Sequence, residues 1–202
     1  MTGHDADRPF QAPTTVEIRE EPVTALDEYA TVPIAFEVRS VFEVAEAGGG
    51  FELTERPVAT PYVKDHDAIP GEGPAGWAKH FDLSNWALFA AWREGRRVGG
   101  AAVAFDTPGV DMLEGRRDLA VLWDIRVAPD VRAQGVGTAL FRAAEDWARA
   151  RGCTELKVET QNIDVPACRF YARQGCVLAE ANRGVYPSLP HEVQLIWRKL
   201  LR

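Results

Sequence analysis

Apolar residues recur at helical spacing in one segment past the middle of the chain. Between Gly135 and Arg151 they fall three and four positions apart, and charged residues occupy the other side. The apolar positions are Val136, Ala139, Leu140, Ala143, Ala144 and Trp147, and the charged ones are Arg142, Glu145, Asp146 and Arg149. Gly152 follows where a helix commonly ends. The pattern predicts a long amphipathic helix.

The segments before this helix have the pattern of strands. Trp86 to Trp92 and Val98 to Phe105 are apolar runs joined by a short turn, which predicts a β-hairpin. Leu119 to Val127 is a nearly continuous apolar run, typical of a central strand that is covered on both faces. Its one interior carboxylate is Asp124.

After the long helix, strand and helix signals alternate. A strand is predicted at Leu156 to Thr160, and a short helix between Pro166 and Gly175, because proline suits a first helical position and glycine a stop. Cys176 to Ala181 and Glu192 to Leu200 predict a closing antiparallel pair. The whole order predicts an α/β (α+β) fold, with a mixed sheet and helices on its faces.

The first third of the chain gives weaker signals. Residues 1–14 are polar and predict a flexible N-terminal tail, followed by a single domain over residues 15–202. Val16 to Val58 suggests short strands, such as Ile34 to Val44, broken by three glycines. Pro61 to Pro74 predicts a loop that borders the substrate site.

Composition narrows the class of protein. Of 202 residues, 46% are hydrophobic and 26% are charged, as in ordinary globular domains. The net charge of −7 argues against a general nucleic-acid binder. The three cysteines lack metal-site spacing, and no apolar run approaches the roughly 20 residues that span a bilayer. With no signal peptide evident, we expect a cytoplasmic protein without a metal, a nucleic-acid partner or a membrane partner.

One loop offers candidate chemistry. Arg132-Ala133-Gln134-Gly135-Val136-Gly137 leads from the central strand into the long helix. The first turn of a helix has unpaired N–H groups and a partial positive charge, and glycines let an anion approach the backbone. Thr138 adds a hydroxyl. A pyrophosphate suits this loop, although two glycines that open a helix are more often packing or turn residues. The loop is neither a Walker loop nor a GxGxxG fingerprint.

The stretch from Asp124 to Leu140 resembles the acetyl-CoA motif of GNAT superfamily N-acetyltransferases, whose core is Arg/Gln-x-x-Gly-x-Gly/Ala. Arg132, Gly135 and Gly137 match it, and Ala133 stands where many members have glycine. Asn162-x-x-x-x-Ala-x-x-Phe-Tyr-x-x-x-Gly resembles the second conserved block. Over about residues 84–200 the chain is most similar to streptothricin acetyltransferases.

This resemblance implies a fold and a reaction. The implied GNAT fold has a mixed, mostly antiparallel central sheet, splayed parallel middle strands and helices on both faces, with an acetyl-CoA-binding core at about 84–181. The implied reaction moves the acetyl group of acetyl-CoA, the co-substrate, directly onto a primary amine of a small cationic molecule such as a streptothricin-like antibiotic. A homodimer through the late strands is common in the family.

The resemblance also implies site residues. Tyr171 would be the general acid for the departing thiolate. Asp124 and Glu159 are candidates for the base, and each is equally suited to a salt bridge or to anchoring the substrate ammonium; a water chain is a third option. The implied cofactor contacts are Ile125 and Val127 with the pantetheine arm, Asn162 near it, and Arg132, Gln134, Gly135, Val136, Gly137 and Thr138 with the pyrophosphate.

Other functions stay open on the sequence. The amine of an aminoglycoside, a polyamine, an amino acid or a protein N-terminus would serve the same chemistry. A cationic antibiotic would need carboxylates at the acceptor mouth, which Asp65, Asp67, Glu72 and Asp82 would provide. A non-catalytic acetyl-CoA-binding module would be expected to lose the acid or the glycines, yet Tyr171, Gly135 and Gly137 are all kept.

Overall fold

The computed structural model describes residues 15–202, so the predicted tail at residues 1–14 lies outside the described part. Nine strands are present there: β1 (Glu17–Glu21), β2 (Phe36–Ala47), β3 (Gly50–Lys64), β4 (Ala87–Arg93), β5 (Arg96–Phe105), β6 (Leu119–Val127), β7 (Glu155–Gln161), β8 (Val177–Arg183) and β9 (Val193–Leu200). Seven form one sheet in the order β1-β4-β5-β6-β7-β9-β8, and only β6 and β7 run parallel. The predicted hairpin, central strand and closing pair are confirmed.

Helices cover both faces of this sheet, as predicted. The α-helices of the described part are α1 (Leu26–Tyr29), α2 (Pro74–His80), α3 (Val136–Ala150) and α4 (Val165–Arg173). Helices α3 and α4 pack into one apolar cluster, and α1 and α2 into a second cluster on the other face. None of these helices is long and apolar enough to cross a membrane.

One charged position of the long helix was assigned to the wrong side. The apolar stripe of α3 is buried at Val136, Leu140 and Trp147 as predicted, but Glu145 is buried as well. Lys199 of β9 contacts the Glu145 carboxylate at 2.5 Å, and Arg149 lies at 3.4 Å. These cations offset the cost of burying the charge, and they come from a distant strand and from the helix itself.

The predicted loop from Pro61 begins too early. Strand β3 continues to Lys64 and pairs with β2 in a separate two-stranded sheet. The register moves from Val38–Tyr62 to Ser40–Pro57, so Pro61 lies in an irregular stretch without a ladder partner. A proline is compatible with a strand at such a place because no N–H is needed there.

The two parallel strands separate along their length, which confirms the predicted splay. Their pairing extends only from Leu119–Glu155 to Leu122–Val158. Beyond that point β6 stays paired with β5 as far as Val127, and β7 stays paired with β9. The edge of β6 that faces β7 therefore has no strand partner over its last residues, and a gap opens there.

A β-bulge in β6 lies where this gap begins. Ala102 is opposite Asp124 while Val103 is opposite Leu122, so Trp123 is the extra residue. The bulge interrupts the alternation of the strand: Trp123 packs on the α1/α2 face, and Ile125 packs on the α3/α4 face. Asp124 consequently shares a face with Trp123, since it receives a hydrogen bond from Tyr29 of α1.

Candidate active site

A cavity of about 1400 Å³ occupies the gap between β6 and β7. It exceeds the roughly 300–1,000 Å³ that a drug-sized ligand typically fills. Its wall includes the first turn of α3, the ends of β6 and β7, one side of α4 and the segment that follows β3. One continuous space therefore joins the predicted pyrophosphate loop, the predicted acid and both predicted carboxylates.

The first turn of α3 presents bare backbone amides. Gly135 precedes the helix with φ of 87°, and no side chain caps the helix end. The first hydrogen bond of this helix runs from the Ala139 N–H to the Gly135 carbonyl at 3.0 Å. The N–H groups of Val136, Gly137 and Thr138 have no partner within residues 15–202. Such a helix end binds anions.

The residue that departs from the family motif has a left-handed backbone. Ala133 has φ of 59°, a conformation that glycine adopts without steric cost. The positive φ explains why glycine would be favoured at this position.

We expect Ala133→Gly to raise the free energy of unfolding by about 0.5–1 kcal/mol, because the relief of backbone strain exceeds the added entropy of the unfolded chain. Urea unfolding measures the free energy of unfolding. Ala128→Gly is the control and should lose stability, because Ala128 has φ of −53° and gains nothing from glycine. A loss of stability in Ala133→Gly as large as that of the control would show that Ala133 is not strained.

The polar side chains around this loop mostly bond within the protein. Arg132 donates to the carbonyl oxygens of Val127 at 3.0 Å and Ala35 at 2.9 Å. Gln134 donates to the Asp130 carbonyl at 3.1 Å. The predicted phosphate contact of Arg132 thus competes with two carbonyl bonds that brace the loop.

The C-terminal end of α4 places two groups at the site that the sequence did not suggest, Arg173 in its last turn and Gln174 directly after it. The Gln174 side-chain amide donates to the Thr138 hydroxyl at 3.3 Å, which ties the two helices together. Arg173 is exposed, lines the cavity, and forms no ion pair within the described residues. Its position in the last turn of a helix gave no sign of a cofactor role, because arginine is common there for the sake of the helix dipole.

The predicted arm-binding residues lie on the free part of β6. Ile125 and Val127 are paired on one side with Ala101 and Gly99 of β5, and both line the cavity. The Val127 carbonyl already accepts the Arg132 bond. An extended ligand that follows this edge would pair with backbone groups as an added strand does.

Tyr171 combines a buried ring with an unbonded hydroxyl. Its ring lies 5.3 Å from that of Phe170 and 6.4 Å from those of Phe141 and Trp197. The residue lines the cavity, and its hydroxyl has no hydrogen-bond partner in the described chain. Burial, followed by the negative charge of Asp164, raises the pKa of this phenol well above its ordinary value. Tyr171 is therefore a protonated donor at neutral pH.

Asp124 is held in a buried ionic cluster. The Arg126 guanidinium, whose side chain is 0% exposed, donates to both Asp124 oxygens at 2.9 and 2.8 Å. The Tyr29 hydroxyl donates to the same carboxylate. Burial opposes the charged form of Arg126, but the bonds and charges of Asp124 and Asp67 raise its pKa above the ordinary value. Of the roles left open for Asp124, the structure favours the salt bridge over the base.

Glu159 faces the same cavity from β7 and is partly exposed. Its carboxylate accepts the Tyr186 hydroxyl at 2.5 Å and the Gln194 side-chain amide at 2.8 Å. Neither partner is a cation, so the negative charge of Glu159 is not neutralised by these contacts. It is suited to a cationic group of a ligand.

Asn162 has a different position from the one predicted. Its side-chain amide donates to the Phe42 carbonyl at 2.9 Å and accepts from the Val193 N–H at 2.8 Å. It is buried and does not line the cavity. These bonds join β2 to β9, so the structure favours a structural role over the predicted cofactor contact.

The far end of the cavity carries carboxylates and aromatic rings. They are Asp67, Glu72, Trp77, Phe81 and Trp123. The rings of Phe81 and Trp123 are 5.2 Å apart, and Trp77 is fixed by a bond from its indole N–H to the Glu72 carbonyl at 2.9 Å. Asp65 and Asp82, which were predicted to join this group, lie outside the cavity lining. A wall of rings and acidic groups suits a cationic ligand.

One channel is thus lined by the uncapped start of α3, the unpaired edge of β6 and the Tyr171 side chain. The family model described as the acetyltransferase (GNAT) family matches residues 57–176. The chain belongs to this family of acetyl-CoA-dependent acetyltransferases.

Known relatives cover most of the chain. A streptothricin acetyltransferase of Streptomyces lavendulae is 31% identical over 158 residues, which is 78% of this chain and 79% of the relative. The crystal structure of a nourseothricin acetyltransferase superposes with a TM-score of 0.72 at 26% identity, covering 94% of this chain and 100% of that one. A protein of Bacillus anthracis, solved in complex with acetyl coenzyme A, shares the fold with a TM-score of 0.72 at 23% identity, covering 92% and 99%.

Proposed function

We propose that the protein transfers the acetyl group of acetyl-CoA directly to a primary amine of a small cationic molecule of the streptothricin type. The observation that carries the proposal is the position of the free Tyr171 hydroxyl, in a channel that links bare helix amides to a wall of carboxylates and rings. The relatives named as streptothricin acetyltransferases support the class of acceptor.

The residues present fit acetyl-CoA. The amides of Val136, Gly137 and Thr138 would hold the pyrophosphate, and Gly135 leaves them open because nothing lies within 4 Å of where its Cβ would be. Ile125 and Val127 would pair with the pantetheine arm along the free edge of β6. Gly137 also lines the cavity, and the absence of a Cβ leaves open the space beside the Phe170 ring, which lies 3.4 Å from where that atom would be. When bound, the thioester supplies the acetyl group.

Arg173 is a further candidate for a phosphate partner. It lines the cavity on α4, and no carboxylate of the described residues neutralises it. Arg132 would join it only after giving up its carbonyl bonds. Together the two arginines would give the phosphates a local positive potential within a protein whose net charge is −7.

Tyr171 would act as the general acid. A hydroxyl with a raised pKa stays protonated and donates to the departing sulfur, which leaves as a thiol. Positioning of two bound substrates supplies much of the remaining acceleration, so no covalent enzyme intermediate is required.

Glu159 would hold the substrate ammonium. We expect Glu159→Gln to raise the KM for the amine about 10- to 100-fold, because a charge-assisted hydrogen bond is replaced by a neutral one. The Kd of acetyl-CoA should stay unchanged in calorimetric titration. Glu180→Gln is a matched control, since Glu180 lies on β8 outside the cavity lining; an equal effect in both variants would argue against a contact with the amine.

The proposed reaction is tested by thiol release. Purified protein is mixed with acetyl-CoA and with streptothricin, an aminoglycoside, spermidine, a free amino acid or a short peptide, and free CoA is followed. Preferred release with streptothricin is the expected result. Release with another amine would move the proposal to that acceptor, and no release alongside normal CoA binding would favour a non-catalytic acetyl-CoA-binding module. The single domain over residues 15–202 and the homodimer stay predictions.

A further inference from the structure

His66 is a second group with proton chemistry on the cavity wall. It follows the end of β3, and its ring lies 6.1 Å from that of Phe36 at an angle of 35°. It lines the same cavity as Tyr171 and Glu159. Neither ring nitrogen forms a hydrogen bond with any residue from 15 to 202, and the residue is partly exposed. Its nitrogens are free to meet a ligand.

The backbone around His66 is fixed on both sides. The Asp67 carboxylate bonds to the buried Arg126 guanidinium at 2.7 and 3.2 Å. The Asp67 N–H donates to the Asp65 side chain at 3.0 Å, and the His66 carbonyl accepts from the Ile69 N–H at 3.1 Å. Because Asp67 is bonded to the sheet and the His66 carbonyl is bonded to Ile69, the backbone that carries the imidazole has a fixed position at the cavity.

The surroundings of His66 keep its imidazole neutral. Burial is the main cause that lowers its pKa, and the positive charge of Lys64 on β3 acts in the same direction. Three carboxylates oppose this: Glu192 beside β9, Asp124 on β6 and Glu72 on the following loop. Lys64 and Glu192 form an ion pair at 2.6 Å, and Asp124 is paired with a cation, so the net direction is downward.

We propose that His66 accepts the proton of the substrate ammonium, a role that rests on the proposed function. Asp124 is unsuited to it because the bonds from Arg126 and Tyr29 occupy its carboxylate. His66 instead has free ring nitrogens and lines the cavity that Glu159 also lines. This assignment deepens the proposed function because it names the general base. His66 was not among the candidates for the base that the sequence suggested.

The proton balance is complete without a further reactant. The ammonium gives one proton to the imidazole, and its nitrogen lone pair then forms the C–N bond to the acetyl carbon while the C–S bond breaks. Tyr171 gives its hydroxyl proton to the sulfur and recovers one from the newly acylated nitrogen. The imidazolium releases its proton to solvent, so one proton is produced for each amide and each thiol.

The test compares pH profiles of kcat for wild type and His66→Gln with the amine that gives thiol release. Because the pKa of the imidazole lies below its ordinary value, wild type should keep its rate down to about pH 6.5, that ordinary value, and lose it only at lower pH. The variant should be about 10- to 100-fold slower at pH 7, and its rate should rise steadily with pH as solvent takes over the proton. Added imidazole should restore part of the rate of His66→Ala, which a purely structural defect would not allow.

His191→Gln serves as the control because His191 is exposed and lies outside the cavity lining. An active wild type, with His66→Gln unchanged in rate and pH profile, would overturn the role of His66 alone. A slower variant with the wild-type pH profile and no rescue by imidazole would also overturn it. A wild type that releases no thiol with any amine would overturn the proposed function and this role together.

Discussion

Gly135→Asp is expected to weaken acetyl-CoA binding by about 10²- to 10³-fold, which is the cost of a like charge near 4 Å in a partly screened site. The new carboxylate would lie beside the amides that receive the pyrophosphate. The variant should fold normally: aspartate tolerates a left-handed backbone, the Cβ meets no atom within 4 Å, and a carboxylate stabilises a helix N-terminus. Calorimetric titration with CoA measures the change.

Gly135→Asn separates charge from shape. Asparagine has the same size and the same tolerance of this backbone, so it should lose far less affinity than aspartate. Equal losses would point to blocked space rather than repulsion. An aspartate variant that binds CoA as wild type does would remove the start of α3 from the cofactor site.

Tyr171→Phe is expected to lower kcat by about 10²- to 10³-fold while the Kd of CoA changes little. The ring packing against Phe141, Phe170 and Trp197 is kept, and only the free hydroxyl is lost. Steady-state kinetics and a CoA titration of the same sample separate the two quantities. Tyr62→Phe is the control, since Tyr62 is exposed and lies outside the cavity lining.

The raised pKa of Tyr171 adds a pH signature. The donor form of the hydroxyl is the protonated one, and a raised pKa extends its range upward. The wild-type rate should therefore show no alkaline loss from this group at or below pH ~10, the ordinary value of a phenol. A Tyr171→Phe variant with the wild-type rate would exclude the hydroxyl from the mechanism.

Local signals in the sequence located the core of the fold. The stripe from Val136 to Trp147 and the run from Leu119 to Val127 each follow one repeat period, and burial of one face enforces that period. The glycines that bracket α3 mark backbone requirements that other residues meet at a cost. Elements whose conformation is determined by residues close together in the sequence could therefore be predicted from the pattern of apolar and polar positions.

Contacts between segments that are distant in the sequence could not be predicted from such local signals. The bulge at Trp123 turns Asp124 toward Tyr29 and Arg126, and nothing in the apolar run signals an extra residue. Asp124-x-Arg126 is the one local sign of the ionic cluster, because residues two apart share a face of a strand. The position of His66 depends on the bond between Asp67 and Arg126, which are 59 positions apart.

Short helices were missed for a related reason. Helix α1 has four residues and α2 has seven, too few for a periodic pattern to emerge. Both are stabilised by packing against the sheet through Tyr29 and Trp77 rather than by their own propensity. Trp77 and His80 of α2 line the cavity near the acidic groups, and no periodic pattern pointed to them, so the sequence located the cofactor end better than the acceptor end.

The most direct measurement is a crystal structure of this protein with CoA bound. We expect phosphate oxygens within hydrogen-bond distance of the N–H groups of Val136, Gly137 and Thr138, an arm along Ile125 and Val127, and the sulfur beside the Tyr171 hydroxyl. CoA bound elsewhere, or a sulfur remote from that hydroxyl, would contradict it.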